Sequence, residues 1–159
     1  MTRSAIASSY RVLLALAAVG FTTIMLAAAC DSNTSACETV QGTVIGQSVP
    51  ILDDDGLPTG FRVEQATVEG SMSGTSSATF TIERADEDGT MHLTGSHTFW
   101  DGTDAFLFRT RDEGMTTTDG RVENAMTIVE GATGSLATTG SVNLQTGALA
   151  LDYTGEVCR

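Results

Sequence analysis

Histidine is the residue type in this chain best suited to acid–base or metal chemistry, and it occurs twice, as His92 and His97. Both lie in a segment that alternates apolar and polar residues, which is typical of a strand. Side chains an odd number of positions apart (97 − 92 = 5) point to opposite faces of a strand, so the two rings cannot bind one metal ion together. His97 has the parity of Leu93 and Phe99 and is expected on the apolar face, as a hydrogen-bonded core residue or as a ligand-binding or acid–base group. His92 is expected at the surface.

Two runs of consecutive acidic residues, 53–55 and 86–88, are the other candidates for metal chemistry. Calcium loops of the EF-hand type place their acids at alternate positions, whereas consecutive side chains point apart. Gly56 and Gly89 follow the runs, and glycine after aspartate is typical of a tight turn. We therefore interpret both runs as turns and expect no metal and no cofactor. Since the chain also contains no Gly-x-Ser-x-Gly elbow and no phosphate loop, no catalytic residue is assigned.

The charge balance excludes one class of partner. The chain has 20 acidic residues against eight arginines and no lysine, a formal net charge of −12. Such a polyanion cannot neutralise phosphates, so no nucleic-acid partner is expected. Arg109 and Arg111 are expected on an outward face, where acids of a neighbouring strand such as Glu123 or Glu130 can pair with them.

The first 29 residues have the composition of an export signal. Arg3 and Arg11 precede an apolar run over 12–29, which ends in small residues immediately before Cys30. This order of charge, apolar stretch and small residues is typical of a targeting segment that is removed from the mature chain. Without it, the net charge of the remainder is more negative, at −14 (6 − 20).

The same segment resembles a bacterial lipoprotein signal peptide, in which the cysteine is lipidated and becomes the first residue of the mature chain. The resemblance implies an exported protein that is held at the membrane of the cell envelope by acyl chains on Cys30. Two alternatives remain open. Ala27-Ala28-Ala29 also satisfies the rule for ordinary signal peptidase, which would make the protein soluble and secreted or periplasmic, and the run over 12–29 is close to the minimum length for an uncleaved membrane anchor.

The sequence thus divides into a signal peptide (1–29), a lipidated cysteine with a short tether (30–36) and one domain (37–159). The tether has no proline-rich spacer, so the domain is expected close to the lipid surface. If Cys30 carries lipid, Cys37 and Cys158 remain as a pair at the two ends of the domain, in a compartment that permits oxidation. A disulfide between them is predicted, against the alternatives of two free thiols or an intermolecular bond.

Period-2 alternation dominates the domain, with threonine, valine, isoleucine and phenylalanine in the runs and glycine, aspartate and serine between them. Eight strands are predicted, at about 38–47, 61–71, 77–84, 90–99, 104–112, 121–130, 135–144 and 147–157. The short connections require antiparallel neighbours, hence an all-β meander. Closing the sheet into an eight-stranded antiparallel β-barrel covers its apolar face and removes the edges. A two-sheet β-sandwich explains the alternation as well and remains the alternative.

In a barrel, six residues at inward positions would line the lumen: four aromatic residues, one histidine and one methionine. We expect a ligand to contact them if the lumen is open. They are His97, Phe99, Phe106, Phe108, Met126 and Tyr153.

The final third of the chain carries a family resemblance. The turn Gly131-Ala132-Thr133-Gly134, the break at Thr139-Gly140 and the closing segment Tyr153-Thr154-Gly155 are similar to the end of the allene oxide cyclase and dirigent-type barrels. The resemblance spans roughly 61–157 and implies an eight-stranded antiparallel barrel. The family also includes bacterial proteins of unassigned function. None of its pocket residues is assigned to a position in this chain.

Three functions follow as hypotheses. The first is a non-catalytic, lipid-anchored envelope barrel that binds a small apolar ligand or a protein partner. The second is a barrel isomerase or cyclase resembling the named family, which would need an open lumen. The third is a structural surface module without a pocket.

Overall fold

The computed structural model describes residues 36–159, and the predicted signal peptide and Cys30 lie outside them. The described residues form eight consecutive strands. They are β1 (Cys37–Leu52), β2 (Pro58–Gly70), β3 (Gly74–Ala85), β4 (Met91–Asp101), β5 (Phe106–Thr116), β6 (Arg121–Glu130), β7 (Thr133–Val142) and β8 (Ala148–Cys158). In this part of the chain there is no helix of the length and apolarity that crossing a bilayer requires.

The strands form a closed barrel in chain order, with every neighbour antiparallel and β1 paired with β8. The predicted barrel is therefore confirmed, and the sandwich alternative is wrong. The closed sheet hides the apolar face of all eight strands and leaves no unpaired edge.

The disulfide lies where the first and last strands meet. Cys37 is directly opposite Cys158 in the β1–β8 register, and their sulfur atoms are bonded at 2.07 Å. The predicted bridge is confirmed. We call this end of the barrel the cysteine end; the connections at 53–57, 86–90, 117–120 and 143–147 lie at the opposite end, which we call the distal end.

Several connections at both ends are closed by aspartate side chains. Asp101 Oδ1 accepts hydrogen bonds from Thr103 N and Oγ1, both at 2.7 Å, and from Ala105 N at 3.0 Å. These bonds, led by that of the Thr103 hydroxyl, lower the pKa of Asp101 from its ordinary value of 3.8. Because the pKa of Asp101 is lowered in the folded protein, these hydrogen bonds stabilise the fold fully above pH 3.8. The stabilisation is lost at lower pH, as acid protonates the carboxylate. Asp53 closes its turn in the same way, through Asp55 N and Leu57 N, as the interpretation of that run as a turn predicts.

One predicted inward residue is on the wrong face. In the β4–β5 register Phe99 is opposite Phe108, but the next pair joins Trp100 to Phe106, so Leu107 is the extra residue of a β-bulge. Beyond the extra residue of a bulge, the inward and outward positions of the strand are exchanged. Leu107 consequently packs against the core, while Phe106 is 46 % exposed, and the prediction that Phe106 lines the lumen is wrong.

Side chains fill the barrel between its middle and the cysteine end. Phe99 and Phe108 lie with ring centroids 4.7 Å apart, and Met126 is 1 % exposed. Tyr153 completes this packing, and its hydroxyl is held at the β2–β3 turn, where it accepts from Met72 N at 2.9 Å. This half of the interior is a packed core.

Candidate functional site

The distal half of the barrel contains a cavity of about 50 Å³. Its walls are mainly apolar, and its polar lining includes His97 and Asn124, two residues that we call the floor of the cavity. The apolar wall residues are Phe61, Val63, Phe80, Leu93, Met115, Val122, Val142, Leu149 and Leu151. An apolar cavity with a few convergent polar groups is the usual form of a small-molecule site.

His97 is held in place by aromatic rings on both sides. It is 3 % exposed, stacks on Phe99 at a centroid distance of 5.6 Å, and meets Phe80 edge to face at 5.4 Å. The orientation of its ring is set by Asp112, whose Oδ2 lies 2.5 Å from His97 Nδ1. Because Nδ1 faces the carboxylate, Nε2 is the nitrogen left for another partner.

Asp112 is the most deeply buried charged group at the site, with 0 % of its surface exposed. The Thr110 hydroxyl accepts a hydrogen bond from His97 N at 3.3 Å, so its own proton is available to the Asp112 carboxylate, which it contacts at Oδ1. Asn124 Nδ2 donates to Asp112 Oδ2 at 3.3 Å. A buried carboxylate needs several donors of this kind, and Asp112 has three.

Glycines opposite the polar residues make these contacts geometrically feasible. In the barrel register Gly95 is opposite Asp112, and Gly114 is opposite Asn124. The carboxylate can therefore reach its diagonal neighbours on β4 and β6 without a side chain in between. At Gly114 a Cβ would lie 2.9 Å from Asn124 Oδ1, so a larger residue would crowd the amide.

Asn124 Oδ1 is the one polar atom of this network that is buried and has no hydrogen-bond partner among residues 36–159. Both Asn124 and Gly114 line the cavity. A buried acceptor without a partner destabilises a protein unless a water or a ligand satisfies it. The lining of the cavity therefore contains one acceptor that a hydrogen-bond donor from a water or a ligand would satisfy.

Five of the six predicted lumen residues are buried, but only His97 lines the cavity, among the residues that the structure describes. Phe99, Phe108, Met126 and Tyr153 belong to the packed half of the barrel instead. Asp112 and Asn124 were not predicted from the sequence. Asp112 has the parity of Phe108, and an acidic residue at an inward position of a strand was the signal that could have revealed it.

The other candidate groups are engaged elsewhere. His92 is partly exposed and pairs with Asp86 at 2.8 Å. Arg109 pairs with Glu130 at 2.5 Å on the outer surface, as predicted. Within residues 36–159, the one group with metal-ligand geometry is Cys37, Glu156 and Cys158, whose two sulfurs are bonded to each other and cannot act as thiolate ligands.

The fold and this site define a class: a small, closed, antiparallel β-barrel with a polar-floored cavity at one end. The chain matches no protein-family model, no curated protein and no solved structure. The resemblance to allene oxide cyclase and dirigent-type barrels stays a prediction.

Proposed function

We propose that this protein is a lipid-anchored binding module of the cell envelope that takes a small, largely apolar molecule into the distal end of its barrel. The observation that carries the proposal is the cavity, in which apolar walls surround the floor formed by His97 and Asn124. Apolar walls favour a ligand that leaves water, and the two polar groups would fix its orientation.

The size of the cavity favours binding over catalysis. A volume of about 50 Å³ is enough for a few water molecules or the end of a slender ligand. Phe99, Phe108 and Met126 close the rest of the barrel, so the open lumen that a cyclase or isomerase would need is restricted to the distal half. The alternative of a barrel isomerase is supported by one observation, the orientation of His97 by Asp112, which is the arrangement of a general base.

The chain termini suggest how the domain would be oriented on a membrane. The described chain enters the barrel at Cys37, at the end opposite the cavity. A tether of six residues (31–36) reaches at most about 20 Å when extended. With lipid on Cys30, the cysteine end would therefore face the bilayer and the cavity would face the aqueous compartment.

Filling the cavity should abolish binding. Val122 lines it, and Val122→Phe places a ring in the space that a ligand would occupy. We expect the mature domain to bind octan-1-ol or heptyl methyl ether, with amide shifts in its NMR spectrum confined to the cavity lining, and the variant to show no such shifts. Overpacking of this kind costs about 1–3 kcal/mol of stability, so the variant must first be shown to be folded.

Val129→Phe is the matched control for this experiment. Val129 is on the same strand but is 48 % exposed, so the added ring should leave binding unchanged. If the unmodified domain binds neither probe, or if Val122→Phe binds as well as Val129→Phe, the proposed function is wrong and the structural-module hypothesis takes its place.

The anchor is tested separately, in the full chain. Cys30→Ser removes the sulfur that would carry the acyl chains, each buried CH₂ of which contributes about 0.8 kcal/mol to membrane attachment. We expect the wild-type protein to partition with membranes and into detergent, and Cys30→Ser to appear in the aqueous fraction or as an uncleaved precursor without lipid. Asp31→Asn is the control and should partition like the wild type. Unchanged lipid incorporation in Cys30→Ser would contradict the anchor.

A further inference from the structure

We infer that the head group received by the cavity is a hydroxyl, so that the ligand is an uncharged alkyl alcohol and not a fatty acid or a plain hydrocarbon. The inference rests on the proposed function and names the ligand class of the same site. It follows from the hydrogen-bonding capacity of two groups, the charge behind them, and a surface groove that adjoins the cavity.

The first group is Asn124. Its Nδ2 is directed at Asp112, because a carboxylate accepts and the amide oxygen cannot donate. This assignment leaves Oδ1 as a buried acceptor without a partner in the described chain. Among ligands, one whose head group carries a proton satisfies it, whereas ethers, esters and hydrocarbons leave it unpaired or bound to water and should bind less tightly.

The second group is His97 Nε2. With Nδ1 at 2.5 Å from Asp112, Nε2 accepts a hydrogen bond when the ring is neutral and donates one when it is protonated. A hydroxyl has one proton, which it can donate to Asn124 Oδ1, and its oxygen can still accept a hydrogen bond from Nε2 when the ring is protonated. A single hydroxyl therefore satisfies both protein groups when His97 is protonated, and Asn124 Oδ1 alone when the ring is neutral.

The charge of the site disfavours an anion. Asp112 lies directly behind the floor, where it contacts both His97 and Asn124, and the whole chain has a net charge of −12. A carboxylate head group would also present acceptors alone to Asn124 Oδ1, which is itself an acceptor. Repulsion between charges is strong where water is excluded, so a fatty acid should bind far more weakly than the alcohol of the same chain length.

A groove at the distal end provides space for the alkyl chain. It has a volume of about 480 Å³ and shares Ser48, Phe61 and Val142 with the cavity, so the two adjoin. Pro50, Pro58, Val49, Met91 and Leu144 add apolar surface along it. A head group on the floor of the cavity would thus leave its chain lying in the groove.

Three probes of similar length separate the head groups: octan-1-ol, heptyl methyl ether and octanoate, each titrated into the mature domain by isothermal calorimetry and NMR. We expect the alcohol to bind about tenfold more tightly than the ether, because the ether leaves Asn124 Oδ1 unpaired. Octanoate should bind least. A change in the ¹⁵N shift of Asn124 Nδ2 on addition of the alcohol, but not of the ether, would show the contact with the same amide group directly and requires no variant.

Two variants test which protein atom causes the preference for the alcohol over the ether. Asn124→Leu should remove the preference for the alcohol over the ether, whereas Thr138→Val should preserve it. Thr138 is opposite Asn124 in the β6–β7 register, and its buried hydroxyl also has no partner in the described chain, but it does not line the cavity. Circular dichroism checks that both variants are folded.

The outcomes separate the two proposals. If the ether binds as tightly as the alcohol, if octanoate binds best, or if Asn124→Leu keeps the preference, the hydroxyl inference is wrong while the binding function stands. If none of the three probes binds, the binding function itself is wrong, and the inference is overturned with it.

Discussion

Removing the disulfide with the double substitution Cys37→Ser and Cys158→Ser is expected to lower the free energy of unfolding by about 3–5 kcal/mol. The bridge spans 121 residues, and the chain-entropy model assigns about 5 kcal/mol to a loop of this length. The effect acts mainly on the unfolded chain, whose ends are no longer joined. Because the β1–β8 pairing continues along the strands as far as Gln47 and Ala148, the barrel should still close.

Equilibrium unfolding in urea, followed by circular dichroism with and without reducing agent, measures this effect. The reduced wild-type domain should be destabilised like the double variant, and reducing agent should leave the variant itself unchanged. A loss below about 1 kcal/mol would mean that the unfolded chain is already compact, contrary to the expected mechanism. Free thiols in the unreduced wild-type domain would contradict the bridge.

The second large effect is expected from breaking the buried pair of His97 and Asp112. His97→Phe retains an aromatic ring between Phe80 and Phe99 but removes the donor at 2.5 Å from a carboxylate that is 0 % exposed. Leaving one partner of a buried pair uncompensated costs about 3–5 kcal/mol. Urea unfolding of the variant should show a loss of stability in this range.

A double-mutant cycle separates the pair from general effects of substitution in the core. The combination of His97→Phe with Asp112→Leu should cost less than the sum of the single changes, because no charge is then left unpaired. Thr138→Val is the control at a buried polar position without a hydrogen-bond partner in residues 36–159, and it should be close to neutral. Additive losses in the cycle would mean that the two side chains act independently.

The strand pattern was largely predictable. The β6 strand occupies the predicted range 121–130, and the other strands differ from prediction mainly at their ends. β5 extends to Thr116 because Met115 and Thr116 continue to pair with Glu123 and Val122, and such pairing partners cannot be recognised from the strand's own sequence. Strand ends depend on the neighbour as much as on the strand itself.

The candidate site was predictable only in part. His97 was identified because its parity matches that of the apolar residues of its strand. Asp112 was missed because it lies among charged residues, and the sequence does not show that Gly95 opposite it leaves space for the contact with His97. Phe106 was misplaced because the extra residue of the bulge, Leu107, is apolar like its neighbours and gives no local signal.

The sequence by itself determined the class of fold, the closing bridge and the inward position of His97, since period-2 alternation and the cysteines at the ends of the domain are properties of the chain alone. Only the tertiary structure decided which half of the barrel is filled and which three strands bring His97, Asp112 and Asn124 together. The physical reason is that alternation specifies a face. Contacts across a closed sheet depend on register, and register depends on bulges and on side-chain volumes from strands distant in sequence.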